Sequence, residues 1–507
     1  MSSLAQSPAE SLVQSVDWLA VAPPTIAAVV ALAVLVADLF VGEARKALLG
    51  WASVAGLALS TLMLLPILDG DRSTFCLTGD ADVCSYTADG FTLAVQLLVL
   101  GGALLAALLS VTALKDARGG LPEGEFWFLL LSSAAGAALL PASRDLATLI
   151  VALEVASLPA FALVGIRHGD KRSSEAALKF FLSSVTATAV SLMGISFVYA
   201  ATGSLYLTRI AERIQDVDGQ LHTLTQTGVV LTLIGFAFKT AAVPFHFWVP
   251  DTYVGAPLPV AAYLSVVGKA VGFSGLILVT VIAFPSYAEV WGPALAVLAA
   301  LTMTVGNVGA LRQQGTRAYS AVRLLAWSSV GQAGYLLVPI AAAAYSGDAE
   351  HSIGSTVAYA LMYAAVNLGA FAVAALVGRT RTLNRVSDYR GLYATNPVTA
   401  LLLAFFLLCL AGLPPGVIGL FAKVTVFSAA VDAGLGWLAV VMAVNVVIAL
   451  FYYLQWSALL FRAPEGEPAG HLVPAPVTAA IALTAVVGVV LSGAPQLVLR
   501  FADTGLF

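Results

Sequence analysis

The chain has 507 residues, 60% hydrophobic and only 10% charged, with a mean hydropathy of +0.94; an average soluble domain is about a quarter charged, so a water-soluble enzyme is excluded. A net charge of −4 with no polybasic block gives no footing for nucleic acid. Cys76, Cys84 and Cys409, with no C-x-x-C pair, are too few for a four-cysteine iron–sulfur cluster or zinc site. Any redox cofactor then belongs to a partner.

In chain order, Met1 to Trp18 carry Glu10 and Asp17 in place of a basic n-region, so no cleavable signal peptide is expected. From Ala22 to Leu497, apolar runs of about 20 residues recur, each able to cross a hydrocarbon core about 30 Å thick as a helix. Bounded by charge, Pro and Gly, they predict spans near 22–42, 48–69, 93–114, 125–142, 146–166, 175–203, 226–250, 255–284, 289–310, 322–343, 353–378, 397–430, 435–461 and 473–497. The expected fold is an all-α polytopic membrane protein of about 14 transmembrane helices. Gly434-Leu-Gly436-Trp-Leu-Ala439 fits G-x-G-x-x-A, but it lies between two apolar runs with no strand before it, and Gly268-Lys269 lacks the rest of a P-loop. Neither is read as a phosphate cradle.

The seventh span holds Pro244 and Pro250, and the twelfth holds Leu413-Pro414-Pro415-Gly416, so both are expected to be discontinuous. They lie five spans apart and therefore cross in opposite directions, the pattern of an inverted repeat. The expected organisation is helices 1–3 with an outward loop at 70–92 (residues 1–124), a first five-helix unit (125–284, helices 4–8), an inverted second unit (285–462, helices 9–13), and helix 14 with a tail (463–507).

Loop cations set the orientation. One side collects Arg45, Lys46, Lys115, Arg118, Arg167, Lys171, Arg172, Arg312, Arg317, Arg379, Arg381, Arg385, Arg390 and Arg462, and the other only Arg72, Arg144, Arg209, Arg213 and Arg500. Fourteen against five puts both termini outside the cytoplasm. The loop from Asp69 to Asp89 then faces the oxidising side, where Cys76 and Cys84 either form a disulfide or remain free thiols.

Four lysines, Lys179, Lys239, Lys269 and Lys423, and one carboxylate, Glu154, stand inside apolar runs. A charge at a helix centre costs about 2.5–3.5 kcal/mol on insertion scales, so each needs a function or a partner. Glu154 is roughly 12 Å into its span at 1.5 Å per residue, Lys239 and Lys269 are similarly deep, and Lys423 follows the break in the twelfth helix by seven residues. Lys179 is shallower, and a snorkelling side chain is an open alternative there. For the others the alternative is a buried structural ion pair. Arginine suits a permanent pair, whereas a lysine whose carboxylate approaches and retreats binds and releases a proton. The set reads as a proton relay and not as a metal site, which needs oxygen, thiolate or imidazole ligands. His246, seven residues after Lys239, shares its face if the helix persists past Pro244; it either carries protons or is hydrogen-bonded at the break. His168 lies in a basic loop and reads as solvated.

Phe238-Lys239-Thr-Ala-Ala-Val-Pro244-Phe-His246-Phe-Trp248-Val-Pro250-Asp251, running on to Gly255-Ala-Pro257-Leu-Pro259-Val and Lys269, closely resembles the seventh and eighth helices of antiporter-like proton-pumping subunits. These occur in respiratory complex I, the NADH:quinone oxidoreductase, and in multisubunit cation/proton antiporters. Leu153-Glu154-Val-Ala-Ser157-Leu-Pro159, Ala177-Leu-Lys179-Phe, Arg323-Leu-Leu-Ala-Trp-Ser-Ser329 and Gly412-Leu-Pro414-Pro415-Gly416, leading to Gly419-Leu-Phe-Ala-Lys423, extend the match over most of the chain in the family's order. Three complex I subunits share this plan. No residues remain for the lateral helix of subunit L, and Lys423 stands where subunit M usually has glutamate, so the resemblance runs to the third. Subunit M and a subunit of a cation/proton antiporter with no redox partner are the alternatives.

The resemblance implies Glu154 and Lys239 as a pair, Lys269 as the central relay and Lys423 as the terminal lysine at the exit. It also implies no redox chemistry and no cofactor in this chain, with NADH, FMN, iron–sulfur clusters and quinone held by partner subunits. Those partners are a neighbouring subunit M, the small membrane subunits and the lateral helix of subunit L, within the lipids of a bacterial plasma membrane. One departure stands out: Gln332, in Ser328-Ser329-Val-Gly-Gln332, replaces a histidine frequent in the family's tenth helix, and glutamine does not titrate.

Overall fold

The computed structural model describes residues 16–68, 70–77, 79–117, 120–464, 473–503 and 506–507; Glu10, Asp69 and Arg118 lie outside them. Two helices come first among the described residues, α1 (Ala22–Asp38) and α2 (Ala47–Leu62). A two-stranded antiparallel hairpin follows, β1 (Arg72–Leu77) and β2 (Asp80–Ala88), the exception to an all-α reading among the described residues. Then come α3 (Gly90–Asp116), α4 (Glu123–Leu139), α5 (Leu146–Val164), α6 (Lys171–Thr202) and the short α7 (Leu207–Arg213). Helices α8 (His222–Thr240) and α9 (Trp248–Gly255) occupy the proline-bearing seventh run. A continuous rod from Leu258 to Ala283 contains α10 (Leu258–Tyr263) and α11 (Lys269–Ile277), with π-helical turns at Leu264–Gly268 and Leu278–Ala283.

The second half holds α12 (Ala288–Leu311), α13 (Ser320–Ala342), α14 (Ala349–Gly378) and the short α15 (Leu392–Thr395). Helices α16 (Pro397–Ala411) and α17 (Val417–Asp432) flank the Pro-Pro-Gly break, and α18 (Gly436–Leu460), α19 (Ala475–Gly493) and α20 (Gln496–Asp503) complete the order. Among the described residues, eleven helices are long and apolar enough to cross a membrane, and Ala22–Asp38 and Pro397–Ala411 are shorter apolar helices.

Aspartates start several of these helices by accepting the exposed N–H groups of a first turn. Asp89 accepts from Thr92 N, Asp145 from Thr148 N, Asp170 from Arg172 N and Asp348 from His351 N. Burial separates centre from rim: α13 and α14 have 94% and 89% of their most apolar windows inside the protein, whereas α6 and α18 have 39% and α19 has 33%. The first two form the axis around which the rest pack. The hairpin caps one end of the bundle. Tyr86 donates to the Ala20 carbonyl at 3.0 Å, Gln96 donates to Tyr86 and to the Ala138 carbonyl, and Arg209 pairs with Asp80. Cys76 and Cys84 are cross-strand partners joined by a disulfide.

Candidate functional site

Both proline-bearing runs break in the same way. Helix α8 ends where Ala241 turns left-handed at φ 68°, and Ala242 N–H reaches back to the Ala237 carbonyl while Ala241 N–H reaches Phe238. Helix α16 ends where Gly412 turns left-handed at φ 87°, with Leu413 bonded to Leu408 and Gly412 to Cys409. Each is a Schellman closure, which satisfies part of a helix C-terminus and leaves other carbonyls exposed. Prolines three and two residues on, Pro244 and Pro414, prevent the helix from resuming at once.

A lysine stands at each of these ends, where the partial negative charge of a helix C-terminus offsets some of the cost of burying an ammonium. Lys423, 6% exposed, reaches back from α17 and donates to the Leu410 and Ala411 carbonyls at 3.0 and 2.7 Å. Its ammonium also lies 5.6 Å from the Tyr335 ring centre. Lys239, 5% exposed in the last turn of α8, sits over the rings of Phe161, Phe180 and Phe238 at 5.0, 5.1 and 5.7 Å, an aromatic cage for a cation. Phe180 is held in place by stacking on Trp248 of α9 at 4.3 Å.

Lys269, 2% exposed, follows directly on the Leu264–Gly268 π turn, and its Nζ is buried with no hydrogen-bond partner. Gly272, three residues on, packs against the end of α8 so closely that a Cβ there would lie 2.3 Å from Thr240 N and 2.7 Å from the Lys239 carbonyl carbon. Only glycine lets the Lys269 rod meet the Lys239 helix at this distance. A cavity of about 20 Å³ beside Lys239, lined also by Ser133, Ser157, Tyr263 and Gly268, is large enough for one water with polar partners. Tyr263 donates to Ser133 at 2.8 Å, and Ser133 in turn donates to the Ala156 carbonyl of α5.

Two buried hydrogen-bonded clusters lie near these lysines, one a helical turn before Lys269 and one beside Lys423. Asn367 of α14 donates to Ser265 Oγ at 2.7 Å, and Tyr363 donates to the Ser265 carbonyl at 3.2 Å and shares a 3.0 Å bond with Ser329 of α13. Tyr359 donates to Gln332 Oε1, and Gln332 Nε2 donates to Tyr453, which bonds Ser328 at 2.5 Å. A second cavity of about 20 Å³ touches Gln332, Tyr359, Tyr363 and Lys423.

Three expectations are corrected. Glu154 and Lys239 make no direct ion pair: Glu154, half-buried, accepts from Thr188 of α6 at 2.8 Å, because α6 and the Phe161/Phe180 rings fill the space over the ammonium. Lys179 is not in the interior row. It lies at the surface with its side chain 46% exposed, paired with Glu175 at 2.6 Å and Asp251 at 2.9 Å, and Arg323 takes the other Asp251 oxygen at 3.3 Å. His246 does not share the Lys239 face, since α8 stops at Thr240; its ring lies 5.5 Å from Trp327 and its buried Nδ1 has no partner. The loop arginine Arg144 is also buried, ion-paired with Asp89. The hydroxyl and amide groups of α13, α14 and α18 were not expected. Their sequence signal is modest: Tyr359 and Tyr363 at i, i+4, and the Tyr452-Tyr453 pair, within otherwise apolar helices.

Two broken helices, each with a buried lysine at its break, define an antiporter-like membrane subunit. Residues 143–449 match the family described as NADH:quinone oxidoreductase/Mrp antiporter, transmembrane. The chain is 73% identical to NADH-quinone oxidoreductase subunit N 2 of Streptomyces griseus, over 98% of this chain and 96% of that protein. Its structure is similar to a chain of respiratory complex I from Thermus thermophilus with bound aureothin, at 32% identity and a TM-score of 0.75, covering 94% of this chain and 98% of that one. A chain of the Mrp complex from Dietzia shares the fold alone, at 21% identity and a TM-score of 0.81 over 96% of this chain and 97% of that one. The chain belongs to the NADH-quinone oxidoreductase subunit N family, the antiporter-like membrane-arm subunits of complex I.

Proposed function

We propose that this subunit moves protons across the membrane through Lys239, Lys269 and Lys423, with Glu154 adjoining the first, while other subunits oxidise NADH and reduce quinone. One observation carries the reading. Lys269 is a nearly fully buried ammonium with no hydrogen-bond partner, in a rod wound with π turns. Burying a charge without a partner costs several kcal/mol even after relaxation, and π turns recur at functional sites. A group held at that cost, in a bundle whose cavities beside Lys239 and beside Lys423 each admit a water, is suited to exchanging a proton.

The remaining parts follow from the same reading. Tyr359, Tyr363 and Ser329 replace the missing histidine as hydroxyl carriers, and Gln332, its amide bonded at both ends, orients them. The two five-helix units are an inverted repeat, with both termini outside a bacterial plasma membrane. Half-buried Glu154 sits among the exposed Val151, Val155 and Leu158 of α5, an arrangement that needs a protein neighbour and not lipid. Partners are the other complex I subunits, including subunit M, the small membrane subunits and the lateral helix of subunit L; NADH, FMN, iron–sulfur clusters and quinone reside in other subunits.

The test is Lys239→Arg, which keeps the positive charge but does not release a proton at physiological pH. NADH-driven proton uptake into sealed vesicles, normalised to assembled complex, falls strongly in this variant. Wild-type uptake would remove Lys239 from the path.

A further inference from the structure

We propose that a cavity at the cytoplasmic end of the bundle, apart from the lysine axis, binds the phosphate-bearing headgroup of an acidic phospholipid. Its side rests on the orientation given above; its chemistry does not. The cavity, about 980 Å³, lies among the ends of α3 and α14, the starts of α10 and α19, and the α5–α6 loop. Among the described residues, its lining combines Lys115, Arg167 and Arg379 with a single carboxylate, Asp116. Asp116 is committed to Arg379, which it bonds through both oxygens at 2.6 and 3.2 Å.

Lys115 and Arg167 are left without an ion pair among the described contacts. Asp170, the carboxylate that acts on Arg167 through space, caps α6 and lies 3.7 Å from Arg172. A second observation points to a ligand. Thr112 lines the cavity at 6% exposure, and its hydroxyl has no partner. Two residues earlier on the same helix, Ser110 bonds the Ala106 carbonyl in the usual way. Two unneutralised cations and a free buried hydroxyl suit a phosphate diester, and basic pockets between transmembrane helices on the cytoplasmic side bind such headgroups. Free phosphate would gain nothing from the apolar wall of Leu109, Leu121, Leu258 and Val477. The first turns of an acyl chain would.

Complex I carrying this chain is purified in detergent, partly delipidated and irradiated with phosphatidylglycerol bearing a photoactivatable acyl chain, and the labelled peptides are mapped by mass spectrometry. Label is expected on peptides containing Leu109 and Val477, competed by phosphatidylglycerol and not by phosphatidylcholine or millimolar inorganic phosphate. Arg167→Gln and Lys115→Gln each lower it about fivefold, the scale of one interfacial cation, while Arg167→Lys keeps it and so separates charge from folding. Equal labelling in the Gln variants, or equal competition by phosphatidylcholine, would reduce the cavity to ordinary lipid contact and overturn the proposal. Competition by inorganic phosphate would assign it to the free anion and overturn the lipid.

Discussion

Gly419 of α17 approaches Cys409 of α16 so closely that a Cβ on Gly419 would stand 1.6 Å from the Cys409 carbonyl oxygen. That contact folds α17 back over the end of α16 and brings Lys423, one turn further on, to the Leu410 and Ala411 carbonyls. Gly419→Ala is therefore expected to force the helices apart, at the cost of about 1–3 kcal/mol typical of an overpacked core. It should lower both the assembled subunit and proton uptake per assembled complex. Gly436→Ala, with open space around it, serves as the neutral control.

Tyr359→Phe removes the hydroxyl that donates to Gln332 Oε1 and leaves a buried acceptor unsatisfied, at about 1–3 kcal/mol. Coupled proton uptake is expected to slow while the subunit still assembles. Adding Gln332→His to the Tyr359→Phe background supplies a titratable ring beside Lys423 and should restore part of the rate. Stopped-flow acidification of vesicles, with the solvent deuterium effect measured for each variant, reads this directly.

The breaks were legible because proline and glycine act locally: Pro244, and Pro414-Pro415-Gly416, dictate an interruption whatever packs around them. The buried lysines were legible because an ammonium in an apolar run is rare enough to stand out. Orientation about an axis was not. His246 followed Lys239 by seven residues, and only the left-handed turn at Ala241 shows that no helix connects them. Lys179 stood in an apolar run, shallow enough for either a relay or a snorkelling side chain, and its surface partner Asp251 lies 72 residues away. The buried groups Ser265, Tyr363, Ser329 and Gln332 lie on three separate stretches of chain, and a hydroxyl on an apolar helix leaves the hydrophobic pattern almost unchanged.

Arg144→Met strands the buried Asp89 carboxylate, a loss on the order of 3–5 kcal/mol. Asp89→Asn combined with Arg144→Met removes both charges and should recover much of it. The thermal midpoint of the purified complex, followed by loss of this subunit, distinguishes the two. Equal destabilisation would mean that the Arg144 bonds to Pro141 and Ser143 matter more than its charge.

Topology gives a test independent of activity. Cys409 is buried and the other two cysteines are bonded to each other, so an introduced thiol reports its own side. A membrane-impermeant maleimide added to intact cells should label Gln220→Cys and spare Thr382→Cys, both exposed positions. The opposite pattern would invert the subunit and its direction of transport.

The β1–β2 hairpin depends on chain made after it. Asp80 precedes Arg209 by 129 residues, so at synthesis rates of about 5–20 residues per second the ribosome delivers the partner roughly 6–26 s later. A two-stranded hairpin alone in water is marginal at best. The Cys76–Cys84 bond spans only eight residues and needs nothing downstream. It can close during that interval and hold the strands in register until the helices that receive them have been inserted, making one covalent link a timekeeper for assembly.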